Sequence, residues 1–470
     1  MKKKYIALMP LLLAVLTSTL GSCDSYESET STSSDCIVTS ATLGTLKRII
    51  HTEASDGSDS TYTISFVGAS YPLNIDQVNA RIYNPDSLPV GTVVSRTVFS
   101  AFSTTGVPGI RSLSSNTDST FTYTDSTDCS VDRLITVYAY DGTSTKTYTL
   151  SLNVHTEAAD SFNWTRVLDG DATLQTLEGA HRIYHQSGKF LVYGTQSGTP
   201  VVLSADEPGN WTVTALPSDF APTSVVANAD VSVLYALSQG DVCTSTDGVA
   251  WTAVGATTVP DGLLAVGTTL LAGIKDGAFY SSADGGVTWT ADGADEPDYA
   301  PTSNLCGLMM PSTTDPETEY FVAAGLDANN DSAAWRRAID LTGTYTFDWY
   351  YMTPIANYEE NYRRLTEPTM VSYDDCSVVT GLTTDGLIAS IFVSRDNGRT
   401  WKDDIIETPV TAATTEGHVS ITADSDNYLW IMESTTGSLW RGRYNRLGWE
   451  EEQNSFESAN KKDLSAGGLD

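Results

Sequence analysis

Short segments in which apolar and polar residues alternate dominate the first third of the chain. Residues 61–67, 134–140 and 146–154 repeat apolar or aromatic side chains at every second position, the period of a strand with one buried face. Asp141-Gly142 and the small residues up to Thr145 join the last two as a hairpin, since glycine accepts the positive φ of a tight turn. Asn84-Pro85-Asp86-Ser87-Leu88-Pro89 reads as a turn or loop by its prolines. Residues 36–155 are therefore expected to form a small β-sandwich of immunoglobulin-like character. It carries no cluster of histidine, cysteine or carboxylate with ligand spacing, which suits a spacer or adhesion module better than an active site.

From residue 160 to 450 the pattern becomes a longer repeat. Leu234-Tyr235-Ala236-Leu237, Leu270-Leu271-Ala272-Gly273-Ile274, Tyr320-Phe321-Val322-Ala323-Ala324 and Tyr428-Leu429-Trp430-Ile431-Met432 are apolar strands, each leading through a turn to a tryptophan. Two of the intervening segments, Ser282 to Trp289 with Asp284 and Gly286, and Ser394 to Trp401 with Asp396 and Gly398, fit Ser-x-Asp-x-Gly-x-Thr-Trp, the pattern of the Asp-box. Ser245, Asp247 and Trp251 mark a copy one residue shorter, and Ser204, Asp206 and Trp211 a degenerate one. The chemistry is local. Serine and aspartate bond within the turn, glycine takes its positive φ, and tryptophan packs beneath, so the box is structural and not catalytic.

Taking Trp211, Trp251, Trp289, Trp349, Trp401 and Trp449 as equivalent gives spacings of 40, 38, 60, 52 and 48 residues, close to those of a four-stranded propeller blade. Asp219 to Ser224 and Asp298 to Ser303 recur 79 residues apart, two blades in this phase. The expectation is an all-β chain: a sandwich followed by a six-bladed propeller, or a seven-bladed one if the strand at residues 162–167 and the stretch from Trp289 to Trp349 conceal a further blade. Residues 162–167 look like one more outer strand, which would complete the last blade. Such a propeller resembles those of sialidases, sortilin-type receptors and photosystem assembly factors, an architecture shared by enzymes and binders.

At the N-terminus, Lys2, Lys3 and Lys4 precede an apolar stretch over residues 5–16 and small residues up to Cys23, the layout of a signal peptide over residues 1–22. The stretch is interrupted by Pro10 and is too short for a spanning helix, which needs about 20 apolar residues. Leu20-Gly21-Ser22-Cys23 resembles the lipobox of bacterial lipoproteins, which implies cleavage before Cys23 and lipid attachment to it; two or three acyl chains make such a tether stable. Residues 23–35 form an acidic, flexible stalk, and residues 451–470 a polar tail. The acidic run after the cysteine also resembles an export signal, so the expected location is the outer membrane, lipid-anchored and facing outward. With its segment from Tyr83 to Pro89, its lipobox and its repeats, the whole chain resembles a family of bacterial surface lipoproteins built on a domain of unknown function, a resemblance that implies no activity.

Charge narrows the partners. The chain has 26 Lys+Arg against 59 Asp+Glu, a formal charge of −33; without the three leader lysines the ratio is 23 to 59, or −36. Such a surface repels phosphate backbones and anionic headgroups, so nucleic acid is not an expected partner and membrane contact is expected only through the anchor. Besides Cys23 there are Cys36, Cys129, Cys243, Cys306 and Cys376; Cys36 and Cys129 pair within the N-terminal domain, or all five stay free thiols. His181 and His185 lie four apart without a third ligand and are expected to face solvent, and the segment from Asp327 to Asp331 to be a polar turn, so no metal and no cofactor are expected.

A hydrolase of sialidase type needs three arginines gripping a carboxylate, a tyrosine nucleophile with a glutamate partner, and an acid/base aspartate. Most propeller arginines here lie beside the box segments, and Arg182-Ile183-Tyr184 is the nearest approach to the Arg-Ile-Pro of a sialidase first blade. The long connection over residues 350–368 carries Tyr358, Glu359, Tyr362, Arg363 and Arg364, where tyrosines can stack on sugar rings and charged groups fix hydroxyls or a carboxylate. The blade phase puts this connection at the propeller mouth, opposite the boxes. The expected function is binding of a glycan or of an envelope or extracellular protein without catalysis; a sialidase-like glycoside hydrolase and a scaffold of an outer-membrane complex are the alternatives.

Overall fold

The structure, a computed structural model, describes residues 33–53, 58–356, 359–403, 406–409 and 417–449. The leader, Cys23, most of the stalk, Tyr358 and the C-terminal tail lie outside them. No helix among the described residues is long and apolar enough to cross a membrane. The chain forms two compact units, Ala159–Gly448 and the residues on either side of it.

In the N-terminal unit a six-stranded sheet runs in the order Asn74–Asp76, Arg81–Tyr83, Thr145–Ser151, Arg133–Tyr138, Val107–Arg111, Asp118–Thr120. It packs with the pair Val38–Leu43 and Phe99–Thr104 around Val38, Phe99, Phe102, Ile135, Tyr148 and Leu150, a sandwich-like core. The hairpin at Asp141 forms as its residues require: Gly142 has φ +72°, and the Asp141 carboxylate accepts the Thr143 and Ser144 N–H groups at 2.8 Å each. Arg81–Tyr83 and Thr145–Ser151 run parallel. Asn84, inside the proline-rich segment, is fully buried; its Nδ2 donates to the Asp86 and Asn153 carbonyls while its Oδ1 accepts the Asn153 N–H. One expectation differs. Thr45–Glu53 and Asp59–Val67 form a two-stranded ribbon, bridged to the rest of the unit at Arg48 and Thr92, and the alternating Tyr62 and Ile64 are exposed on it instead of half-buried.

The second unit is a six-bladed propeller of four-stranded antiparallel sheets. The inner strands are Glu178–Gln186, Val226–Ala227, Gly262–Val266, Ser303–Pro311, Thr366–Tyr373 and Val419–Ala423 for blades 1 to 6. Trp211, Trp251, Trp289, Trp349 and Trp401 each immediately precede the outer strand of blades 1 to 5. The sixth does not belong to the series: the last blade takes its outer strand, Phe162–Leu168, from the start of the domain, paired with Ser438–Tyr444. Trp449 instead stacks on His155 of the N-terminal unit, ring centroids 3.8 Å apart.

The Ser-x-Asp turns join third to outer strands. In blades 3 and 5 their bonds superimpose in kind: Ser282 and Ser394 donate to Asp284 and Asp396 at 2.8 and 3.0 Å, and accept the Gly286 and Gly398 N–H groups at 2.8 Å. The carboxylates accept both the backbone and the hydroxyl of Thr288 and Thr400, and each tryptophan Nε1 donates to the glycine carbonyl. Gly286 and Gly398 have φ of +97° and +85°, and a Cβ on Gly398 would lie 2.8 Å from Val322 of the neighbouring blade. Blade 2 keeps the serine and aspartate bonds at Ser245 and Asp247. In blade 1 the bonds are gone; Asp206 points to Lys189 at 3.9 Å and Trp211 donates to Asp171.

A buried ion pair ties blades 3 and 4. Arg337 Nη1 lies 2.7 Å from Asp292 Oδ2, both side chains 6% exposed, and Asp292 also accepts from Ser281 and from Trp349 Nε1. The five described cysteines are free thiols.

Candidate functional site

The six inner strands enclose a channel with a cavity of about 140 Å³ between them. At the end where outer-to-inner connections arrive, the channel opens into a mouth of about 320 Å³ lined by Ala180 and Arg182, Ser224, Asp261, Asn304 and Glu367 from five successive blades. Hydroxyls of Thr223, Thr302 and Ser303 add to the lining. The Ser-x-Asp turns, which follow third strands, lie on the opposite face of each blade.

Bulged backbone shapes this mouth. The register shifts between Glu178 and Arg182, Ser303 and Cys306, and Thr366 and Thr369, and each shift contains a residue in the left-handed region: Gly179, Asn304 and Glu367, at φ +67°, +50° and +51°. Side chains at bulges are re-aimed, and left-handed backbone at a non-glycine residue is strained unless neighbours hold it. Here the Asn304 side-chain Oδ1 accepts the Glu367 N–H at 3.0 Å. The Glu367 carboxylate in turn meets His418 Nδ1 at 2.6 Å, which raises the His418 pKa above its usual 6.5 against the opposing effect of burial.

Arg182 is half-buried at this mouth. It donates to the His181 carbonyl at 3.1 Å and has no acidic partner among the described residues. His181 corrects the expectation of two solvent-facing histidines: it is 1% exposed, and burial pushes its pKa down to about 4. Both faces of an inner strand are covered by neighbouring blades, so a shared face there is not a solvent face. Its Nδ1 lies 3.3 Å from the Gly179 carbonyl and its Nε2 has no partner. His185 is half-buried with its ring edge on Phe190. The Asp327 carboxylate closes its own turn on the Asn329 and Asp331 N–H groups.

The connection singled out from sequence departs from the expected position. After the outer strand of blade 4 it runs back along the edge of blade 5, where the Glu360 carbonyl accepts the Trp401 N–H at 2.8 Å beside the Ser-x-Asp turn. None of residues 359–364 lines the mouth. Tyr362 is not a surface platform: it is 8% exposed, wedged between blades 4 and 5 with its ring edge-on to Trp401 and its hydroxyl 3.7 Å from Cys306 Sγ. Arg363 lies over Phe392 at 4.3 Å and pairs with Asp403 at 2.8 Å. Glu359 and Arg364 are exposed. Tyr358 lies outside the described residues. The aromatic density of this segment answers the packing demand of two blades separated by a long insertion.

A second depression lies beside that segment. Arg336, Tyr350, Tyr351, Met352, Thr353, Ile355, Asn361, Arg399 and Thr400 line a groove of about 300 Å³ between blades 4 and 5, next to the Ser-x-Asp turn. Asn361 holds its rim by exchanging two bonds with the Ile355 backbone, at 2.9 and 2.7 Å. Sequence reasoning missed both depressions because each gathers residues from different blades; the only local signal was the pairing of Glu367 with Pro368 at a strand start.

Among solved structures, the chain is similar to the Hadza microbial sialidase Hz136, with 11% identity over 88% of this chain and 95% of that one and a TM-score of 0.28. AofleA from Arthrobotrys oligospora is 13% identical over 62% of this chain and 88% of its own, with a TM-score of 0.34. The catalytic domain of the Coprinopsis cinerea GH62 α-L-arabinofuranosidase is 10% identical over 61% and 98%, with a TM-score of 0.31. At these scores the likeness carries no argument about activity. No curated protein matches the chain. The family models for the DUF6242 N-terminal domain and the DUF6242 beta propeller domain match residues 41–152 and 158–452, in the order in which the two units are built, and the chain therefore belongs to the DUF6242 family.

Proposed function

We propose that the chain is a lipoprotein, anchored through Cys23 to the outer membrane and facing outward, whose propeller binds an extracellular glycan without turning it over. The observation that carries the binding is Arg182: a half-buried guanidinium without an acidic partner among the described residues, at the centre of a polar mouth, in a chain of formal charge −33. A fixed cation there is matched to one anionic group of a ligand, because a guanidinium forks onto a carboxylate with two charge-assisted bonds. The hydroxyls of Thr223 and Ser303 and the Nδ2 of Asn304 suit sugar hydroxyls. Binding is favoured over sialidase-type hydrolysis because Arg182 is the one arginine among the described residues that line the mouth, where a three-arginine grip would be needed. The Asp-boxes, on the opposite face, serve as hairpin staples. A glycan array read with purified protein tests this reading. Arg182→Ala is expected to weaken the hit by roughly ten-fold or more, the worth of one charge-assisted pair. Release of free sugar from the bound glycan, or a hit insensitive to Arg182→Ala, would overturn it.

A further inference from the structure

The groove between blades 4 and 5 differs from its counterparts in a way that blade folding does not require. Arg336 on the third strand pairs across the ladder with Tyr350, the first outer-strand residue after Trp349. The same two positions are Ser281 and Thr290 in blade 3 and Thr244 and Thr252 in blade 2. Arg399 occupies the residue after the turn glycine in blade 5; the same place is Val287 in blade 3 and Val249 in blade 2. The turn bonds of blades 3 and 5 are the same with valine or arginine there, so Arg399 is not needed to make the turn.

Two guanidinium groups thus line one groove in a chain with more than twice as many acids as bases, and neither has an acidic partner among the described residues. Like charges sharing a cleft repel, and an anion seated between them relieves that cost. Beside them the Tyr350 ring and the Ile355 side chain stand 58% and 62% exposed, an apolar wall that suits the flat face of a pyranose. The two bonds of Asn361 to Ile355 hold that wall in place before a ligand arrives.

We propose that this groove is a binding site, separate from the mouth, for a carboxylated sugar residue of an acidic polysaccharide. Arg336 and Arg399 take the carboxylate and Tyr350 with Ile355 takes the ring. The assignment does not depend on what the mouth binds. The test uses the whole chain and titrates it with polygalacturonate and alginate, with dextran as the neutral polymer and dextran sulfate as the sulfated one. The wild type binds the uronate polymers and not dextran, and added salt weakens the binding. Arg336→Ser with Arg399→Val, the residues of blade 3 and its turn, lowers affinity by more than about ten-fold with an unchanged melting temperature, and Tyr350→Thr alone lowers it without altering the charge. In an Arg182→Ala background, which removes any contribution of the mouth, the groove variants lower the remaining affinity by the same factor. The proposal is overturned if neither uronate polymer binds, if the double variant binds like the wild type, or if Arg182→Ala alone abolishes binding. Dextran sulfate binding more tightly with the same dependence on both arginines would also overturn it, since that marks a patch for any anion.

Discussion

His181 and His418 stand near the same mouth and respond to protons in opposite senses. Burial holds the His181 pKa at about 4, below the 6.5 of an unfolded chain, so the folded state resists its protonation. Its contribution is complete above pH 6.5 and is withdrawn as pH falls toward 4, to a limit of about 3 kcal/mol. His418, raised by Glu367, contributes stability that is complete below pH 6.5 and is lost as pH rises through its folded value. Urea midpoints measured between about pH 5 and 8 separate the two. His181→Leu is expected to flatten the acid limb, and His418→Gln the neutral one. Deprotonating His418 also leaves the Glu367 carboxylate uncompensated in the mouth that Arg182 lines, so anion binding at the mouth is expected to weaken as pH rises. An affinity constant across that range would count against the pairing as the mouth's electrostatic control.

The turns and the interblade contacts are elements whose cost of removal follows from burial. Ser394 is 1% exposed and accepts the buried Gly398 N–H, so Ser394→Ala leaves an unsatisfied donor and is expected to cost about 1–3 kcal/mol in denaturant unfolding. Asp292→Ala strands the Arg337 guanidinium between blades 3 and 4, a loss of about 3–5 kcal/mol. A smaller effect than that of Ser394→Ala would show that water reaches the arginine. What was legible in the sequence divides along the same line. The turns could be read because all their bonds fall within eight consecutive residues, and the five tryptophans could be aligned because each directly precedes an outer strand. The mouth and the groove could not, because Arg182 and Glu367, or Arg336 and Arg399, stand on different blades and share a depression only in the folded propeller. Tyr362 was misread for a related reason. Its neighbours Trp401 and Cys306 lie 39 and 56 residues away, so a plug between blades looks in sequence like an exposed aromatic loop.

For the whole molecule, closure of the ring sets how the propeller fails. An open array of repeats has two ends and loses them first, whereas a ring in which the first strand completes the last blade has none. That closure rests on Phe162–Leu168 against Ser438–Tyr444; among its side chains Arg166 lies over Trp440 at 4.3 Å and Phe162 is edge-on to Trp164 and Tyr444 at 5.0 and 5.2 Å and to Tyr373 of blade 5 at 6.3 Å. Gly442 permits the approach: a Cβ there would sit 2.5 Å from the Phe162 ring. Phe162→Ala removes the contact without touching the ladder, and since the ring is only partly buried the expected loss is about 2–3 kcal/mol, below the full core value. Gly442→Ala is expected to act in the same direction through the clash. If the velcro strand couples all six blades, both variants lower the midpoint of one propeller transition and leave its slope against urea unchanged. A reduced slope would mean that blade 6 unravels alone, and the ring would then be held by the contacts between neighbouring inner strands instead of by its closing strand.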